Sequence, residues 1–291
     1  MNFFQCLVCG QQHPQITPEA WKCQNCQTHY RIESGIPLLI RNWESHQQEI
    51  ELAQQHAANW YVTAQPAEDL SPWRHHVRKR REYVQGSIAQ HIASLSLSRL
   101  PNVLDMGCGD GNHLAYLQAY AENLHGSDYN LLRLVRAKQL QPTATVFLAD
   151  ILDYPSQDNF FDLVFFNHVI EHIPDDIRAL ETIYRVLKPN GLLILGTPNE
   201  GAAWWQLAYR LQPKMLELSD HVHFYTLESL SKKIEAAGFS IQETKFLGWG
   251  PPHWSLDGLI RRYKWVDDGL SWIGQRIIPN QASSLYVVAT K

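Results

Sequence analysis

Between residues 101 and 291 the chain alternates short apolar runs with stretches whose apolar positions recur every three or four residues. Asn102-Val-Leu-Asp-Met106 reads as a buried strand running into a glycine-rich turn. Further strands are predicted at 124–129, 145–150, 161–166 and 191–197, with a last pair near 240–247 and 284–290. After the glycine turn, Leu114, Leu117, Ala121 and Leu124 fall on one face of a predicted helix. A second, strongly periodic helix carries Ile177, Leu180, Ile183, Tyr184 and Leu187, bounded by Pro174-Asp175-Asp176 and Pro189-Asn190-Gly191. Thr226 is placed to cap a third, with Leu227, Leu230, Ile234 and Ala237 on its apolar side and Gly238 at its end. Such alternation predicts a doubly wound α/β fold, a seven-stranded and mostly parallel sheet covered on both faces.

The first hundred residues have another pattern. Residues 44–65 are polar and helical, with Ile50, Ala53, Ala57 and Trp60 at helical spacing; Gln65-Pro66 and Ser71-Pro72 then break the chain into a loop or hinge. A helix from about 74 to 94 contains Arg74, Arg78, Lys79, Arg80 and Arg81, with His75 and His76 among them, the one basic cluster of the chain. A solvated helix face accounts for such a run more often than a phosphate, nucleic-acid or anionic-lipid site does. The predicted organisation is therefore a small module over 1–42, a helical linker or cap over 43–99, and the α/β domain over 100–291. Within that domain, insertions at about 199–224 and 246–280 are placed to form an acceptor pocket.

The small module is defined by cysteines. Cys6-Leu-Val-Cys9 and Cys23-Gln-Asn-Cys26 are paired C-x-x-C knuckles whose four thiolates complete a closed tetrahedral site, which makes the expected zinc structural. Gly10 permits the tight turn after Cys9, and His29 is a substitute ligand for Cys26 that nothing requires. So few apolar residues cannot fold alone, and metal binding supplies much of the folding free energy. The next segment, Gly35-Ile-Pro37-Leu, resembles the short zinc ribbon fused to, or partnered with, many methyltransferases, some of which act on RNA. Met1-Asn2-Phe3-Phe4-Gln5-Cys6 has neither the positive start nor the apolar run of a secretory signal. The apolar runs Ile36–Ile40 and Leu192–Leu195 are too short to span a bilayer, so a soluble cytoplasmic protein is expected. A net charge of −4 excludes a bulk basic field for nucleic acid or membrane.

The first glycine turn is Asp105-Met-Gly107-Cys-Gly109-Asp-Gly111, at the topological switch point of a doubly wound sheet. A dinucleotide fingerprint requires G-x-G-x-x-G, but position 112 is Asn. Asp105 and Asp110 would repel a pyrophosphate and welcome a ligand carrying an ammonium and a sulfonium. The second strand ends in Asp128, where a carboxylate binds a ribose diol, and the third in Asp150, where a polar turn can meet adenine. Val103-Leu-Asp-Met-Gly-Cys-Gly-Asp-Gly111 resembles the first motif of the class I S-adenosylmethionine-dependent methyltransferases. Asp128, Asp150, Phe161–His172 and Arg185–Leu193 resemble that family's later motifs. The resemblance implies a Rossmann-like strand order of 3-2-1-4-5-7-6 with the last strand antiparallel. It implies S-adenosylmethionine as cofactor, held by Asp105, Gly107, Gly109, Gly111, Asp128, Tyr129, Asp150, Ile151 and Asn167.

Methyl transfer from a sulfonium needs orientation and water exclusion, and a general base when the acceptor is a hydroxyl. Candidate bases are His168, Glu171 and His172 after the fourth strand, and His221 and His223 later. His168-Val-Ile-Glu171-His172 also fits a zinc-protease pattern, but a strand precedes and Pro174 comes next but one, so the required helix is missing. It lies where ubiquinone-biosynthesis O-methyltransferases carry a metal site, with His168 in place of the first acidic ligand. Aromatic residues crowd the two insertions: Trp204, Trp205, Tyr209, Trp249, Trp254, Tyr263, Trp265 and Trp272. They favour a small-molecule or lipid-linked acceptor. Leu256 to Ile278, with Arg261, Arg262 and Lys264, is a candidate for peripheral membrane contact. The competing readings are an rRNA or tRNA methyltransferase gripping RNA through the ribbon and the basic helix, and a non-catalytic cofactor-binding subunit. Asn167-His-Val-Ile, in place of an N-P-P-Y-type tetrapeptide, disfavours an exocyclic base amine as acceptor.

Overall fold

A computed structural model describes residues 3–12, 15–17, 20–56, 62–66, 68–211, 220–251 and 254–291. Two compact units emerge, one from residues 1–65, 97–165 and 181–191, the other from 66–96, 166–180 and 192–291.

The first unit is organised by β-branched and leucine-rich runs that are buried on both faces. Its strands are β1 (Gln15–Ile16), β2 (Ala20–Lys22), β3 (His29–Glu33), β4 (Ile36–Leu39), β5 (Leu100–Met106), β6 (Ala121–Asp128), β7 (Thr145–Ala149) and β8 (Phe161–Asn167). They lie in the order β1-β2-β3-β4-β7-β6-β5-β8. From β4 onward every pairing is parallel, including Leu38↔Leu148 between β4 and β7. The ribbon strands are antiparallel, and β3 turns into β4 through Ser34 and Gly35 at φ 53 and 74, as a tight hairpin demands. The cysteine module is thus joined edge-on to the main sheet. Phe3 is fully buried against Phe147 at 4.7 Å between ring centres, while Phe4 packs edge-on to Trp21 and Tyr30. Burying an aromatic ring of this size contributes about 1.5–3 kcal/mol.

Helix α1 (Trp43–His56) matches the described part of the polar helix predicted over 44–65; Ala57 and Trp60 lie outside the described residues. The amphipathic helix expected through Leu124 is instead short. Helix α3 (Leu114–Leu117) passes through a 3-10 turn at Gln118–Tyr120, and β6 begins at Ala121. Ala121 and Leu124 are buried as strand residues, in register with Leu100 and Val103 of β5, so that the ladder takes up backbone groups a helix would otherwise have paired. Helix α4 (Leu131–Leu140) comes next, capped by the Asn130 side chain.

The second unit holds α2 (Arg74–Ser94) and the antiparallel order β9-β11-β10, with β9 (Leu187–Pro198) paired through its residues 192–198, β11 (Ser284–Thr290) and β10 (Ser240–Leu247). Strand orders 3-2-1-4 in the first unit and 5-7-6 in the second are those the resemblance implies. Helix α5 (Asp176–Val186) ends three residues before the predicted stop, since a residue preceding proline resists helical angles; Pro189-Asn190-Gly191 sits inside β9. Helix α6 spans Ala203–Leu211, and α7 (Leu227–Ala236) carries a capping box between Thr226 and Ser229, with Gly238 at φ 99 beyond its end. The stretch predicted over 256–278 is two helices, α8 (Trp254–Arg261) and α9 (Lys264–Ile277), separated where Tyr263 adopts an extended backbone. Among the described residues no helix is long and apolar enough to cross a membrane.

Candidate cofactor and active site

Strand β5 delivers Asp105 to the start of the glycine turn. Its carboxylate is 1% exposed and Oδ2 accepts no hydrogen bond; His113 Nδ1 stands 3.9 Å away. Burial, reinforced by the nearby Asp128, pushes the Asp105 carboxyl well above the usual range. A buried carboxylate oxygen without a hydrogen bond is costly, and a ligand ammonium would supply one. Gly107, Gly109 and Gly111 all lie at positive φ, 80, 52 and 84. A Cβ on Gly111 would stand 2.9 Å from the Ala137 backbone, so the turn is closed tightly over α4.

Asp128 at the end of β6 accepts from the Gly109 N–H at 2.8 Å and the Asn130 N–H at 2.9 Å. Each oxygen keeps lone-pair capacity toward a ligand hydroxyl. Burial raises its pKa against the pull of Arg133. Asp110 behaves differently from expectation: its charge is matched by Arg133 at 3.2 Å and Arg136 at 3.6 Å, and the Gln65 N–H donates to it at 2.6 Å. Asp150 caps the 3-10 turn Ile151–Asp153 through the Leu152 N–H at 2.8 Å, with Ile151 half-buried beside it. Tyr129 is tied to α1, its hydroxyl donating to Glu49 at 2.5 Å and its ring edge-on to His46.

In the same unit the thiols of Cys6, Cys9, Cys23 and Cys26 lie within 4.8 Å of one another. The two knuckles share one geometry. Gly10 and Gln27 come directly after the second cysteine of each pair at φ 73 and 61, and donate their N–H groups to the Cys6 and Cys23 carbonyls. The Thr28 hydroxyl pulls the Cys26 thiol down to about 6. Four sulfurs so placed fit a tetrahedral zinc.

The second unit gathers the candidate acid–base groups. Asn167 and the residues after it lie here, with the buried Asn167 Oδ1 set against Gly196. His168, at φ 54, has its Nδ1 3.3 Å from Glu171 and its Nε2 3.3 Å from Arg80 Nη1. Arginine can only donate, so this ring is protonated on Nδ1, and both nitrogens are engaged. Glu171 is 1% exposed and also accepts from Thr197 at 3.1 Å. Burial opposes its ionisation, yet the His168 hydrogen bond and the surrounding imidazoles hold its carboxyl below the usual range. His172 Nδ1 meets the Asp220 carbonyl at 3.2 Å, and its ring lies 5.0 Å from that of His221. Burial lowers the His172 pKa, which Glu171 only partly offsets. Ligand atoms of Glu171, His172 and His221 fall within 4.8 Å of one another. His221 Nδ1 is 3.8 Å from Glu200, a buried acid that accepts from Tyr209. His223 stands apart, with Nε2 3.0 Å from the Pro174 carbonyl and 3.8 Å from Asp176, which is already bound by Tyr225 and Lys233.

Arg80, Thr197 and Glu200 carried no sequence signal of their own. Arg80 was hidden in the basic run, every cation of which is engaged. Arg78 pairs with Glu82, Arg81 with Glu68 and Lys79 with Asp267 and Asp268, while Arg74 donates to the Arg262 carbonyl and Arg80 to Ser284. Of the aromatic insertions, residues 212–219 and the side chains of Trp204 and Trp254 lie outside the described residues.

A 2-methyl-6-phytyl-1,4-hydroquinone methyltransferase of Synechocystis is 29% identical over 183 residues, 58% of this chain and 57% of that protein. A malonyl-[acyl-carrier protein] O-methyltransferase of Salmonella typhimurium is 31% identical over 131 residues, 43% and 52% of the two chains. The chain thus spans just over half the length of these relatives. The N-methyltransferase NodS of Bradyrhizobium japonicum, solved with S-adenosyl-L-homocysteine, superposes with a TM-score of 0.52 at 16% identity. That superposition covers 84% of this chain and 98% of that one, a likeness of fold. The family described as a methyltransferase domain matches residues 78–244, more than half of the sequence. By that match the chain belongs to the methyltransferase-domain family, on a Rossmann-like α/β fold.

Proposed function

We propose that this protein transfers the methyl group of S-adenosylmethionine to a hydroxyl oxygen of a small-molecule or lipid-linked acceptor, and that its ribbon holds a structural zinc. The observation that carries the reading is the buried Asp105 carboxylate, whose Oδ2 accepts no hydrogen bond, beside a glycine turn pinned to Asp128. The cofactor, when bound, supplies a methyl group on a sulfonium that leaves as a neutral thioether. Asp105 answers the ammonium of its methionine portion, and the glycines let the backbone approach it. Asp128 accepts from the ribose hydroxyls, while Asp150 and Ile151 flank the adenine. Asn167, after the fourth strand, and Tyr129 complete the set that the family resemblance implies.

Taking the acceptor proton falls to His172 or His221. His168 has both nitrogens engaged by Arg80 and Glu171, so its part is to orient Glu171. His223 is held by Asp176 and Pro174 and is a weaker candidate. Pairing of Arg78, Lys79 and Arg81 with carboxylates weakens the electrostatic case for an RNA acceptor. The small-molecule acceptors named in the relatives support the reading, and unpaired ribbon thiols fit a reducing compartment such as the cytoplasm.

The test is thermal unfolding with S-adenosylmethionine, for wild type and Asp128→Ala, and then assay of S-adenosylhomocysteine release with small-molecule, lipid and RNA extracts. Ligand at about 100 times its dissociation constant adds roughly 2.7 kcal/mol, a shift of about 4–5 °C for a chain of this length. A shift in wild type alone, with turnover on a small-molecule or lipid extract, supports the proposal. No shift at saturation refutes the cofactor assignment, and binding without turnover on any extract identifies a non-catalytic subunit.

A further inference from the structure

Two helices of the second unit are built inside out. On α9 the buried positions are Asp267, Ser271 and Gly274, whereas Trp265 is 77%, Trp272 58%, Ile273 46% and Ile277 70% exposed. The helical repeat puts these four side chains, with Arg276, on one outward stripe opposite the buried polar one. Helix α8 repeats the inversion, with Gly258 and Arg261 buried and Leu256 and Leu259 exposed.

Two tryptophan rings, Trp249 against Gly274 and Trp73 against Gly258, and a set of polar bonds hold the pair down. Arg261 bonds Asp267 at 2.8 Å, Lys79 of α2 bonds the other Asp267 oxygen at 2.6 Å, and the Trp73 ring N–H donates to Asp257 at 2.7 Å. An outward apolar stripe of this extent on a water-facing helix marks a surface that another apolar phase covers.

The charges identify that phase. Asp257 and Asp267 are turned inward on these bonds, and Asp268 is shared between Lys79 and Lys264. The outward charges left along the hairpin are cations: Arg262 lies over the Tyr263 ring at 4.9 Å and Arg276 over the Trp272 ring at 4.5 Å. Aromatic rings flanked by guanidinium groups, above a stripe of isoleucine and leucine, match the boundary between anionic headgroups and acyl chains. With 8 and 14 residues the helices are too short to span a bilayer and suited to lie in its surface.

We propose that the α8–α9 hairpin seats this protein on an anionic lipid surface, with Trp265, Trp272, Ile273 and Ile277 entering the acyl boundary and Arg262 and Arg276 meeting headgroup phosphates. The proposal is independent of the methyl-transfer reading.

The test is co-sedimentation of the full chain with vesicles of phosphatidylglycerol and phosphatidylcholine, against vesicles of phosphatidylcholine alone. Variants are Trp265→Glu/Trp272→Glu and Arg262→Glu/Arg276→Glu, at surface positions, with unchanged circular dichroism and an unchanged ligand-free Tm as the folding controls. The expected result is binding to the anionic vesicles that falls by about tenfold or more in either variant and weakens with salt. Wild type that stays in solution with both vesicles overturns the proposal, as does vesicle binding that both variants retain. A dimer seen by sedimentation velocity, split by the tryptophan variant and indifferent to vesicles, assigns the stripe to a second copy instead.

Discussion

The Gly109 N–H donates to the Asp128 carboxylate over 2.8 Å, and so fastens the tip of the turn after β5 to the end of β6. The same carboxylate caps the Asn130 N–H, so one side chain shapes both the loop and the surface that a ribose would meet. Asp128→Ala leaves two buried donors without partners. It should lower stability by about 1–3 kcal/mol and abolish the S-adenosylmethionine-dependent rise in Tm. Denaturant unfolding of the ligand-free chain measures the first effect, and calorimetric titration the second. Undiminished affinity in the variant would remove Asp128 from the site.

Asp105 should show the opposite balance. Its folded-state pKa is raised, so the folded chain holds a proton that the unfolded chain releases. Stability from this group is complete below the unfolded value and is lost as pH rises through the raised folded one. Asp105→Asn should therefore stabilise the ligand-free protein by about 0.5–2 kcal/mol at neutral and alkaline pH. The same change should weaken cofactor binding by removing the charge that answers an ammonium. Paired urea titrations at acid and alkaline pH check the sign; an asparagine variant less stable than wild type at high pH contradicts it.

The places of the candidate residues in the fold were readable in the sequence because they are local. Asp105, the three glycines, Asp128 and Asp150 each lie at the end of a strand whose apolar pattern is unmistakable, and the cysteine pairs are only three residues apart. What escaped depends on contacts distant in sequence. Arg80 looks like any other member of a basic run until the chain brings it against His168, 88 positions away. Ala121 and Leu124 satisfy a helical repeat as well as a strand, and only the ladder with β5 decides between them. The inversion of α9 was illegible for the same reason. Its amphipathic pattern is plain, but the ion pairs of Asp267 with Arg261 and Lys79 determine which side faces in.

Gly111 gives a test of the turn that is independent of charge. At φ 84, with Ala137 2.9 Å from where a Cβ would stand, Gly111→Ala suffers both backbone strain and a clash with helix α4. The expected loss is about 1–3 kcal/mol of stability with weakened cofactor binding. A variant as stable as wild type would show that the turn is looser than its contacts indicate.

His172 sets an expectation for pH dependence. Burial lowers its pKa from the ordinary 6.5, so the ring stays neutral, and able to accept a proton, to lower pH than a free imidazole. The rate of methyl transfer should hold level through neutral pH and fall on an acid limb below 6.5. His172→Gln should remove that limb and lower kcat by about 100-fold to 10,000-fold. A limb that persists in the variant moves the titration to another group, His221 or the acceptor itself.

The ribbon should be coupled to the sheet through β4. Because Leu38 and Leu39 pair in parallel with Leu148 and Ala149 of β7, whatever folds the cysteine module also completes the sheet beyond β7. Four thiols within 4.8 Å of one another would repel as thiolates without an ion between them, so most of the module's order should come from metal. The purified protein should contain about one equivalent of zinc by mass spectrometry. Chelation should lower Tm and open Phe3, Trp21 and the β4 backbone to hydrogen exchange, while β5 and β6 stay protected longer. Cys9→Ser, at an exposed position where packing loses little, should reproduce the effect of chelation. If the variant keeps its zinc and its Tm, Cys9 is no ligand, and if chelation leaves β4 protected, the ribbon folds on its aromatic core alone.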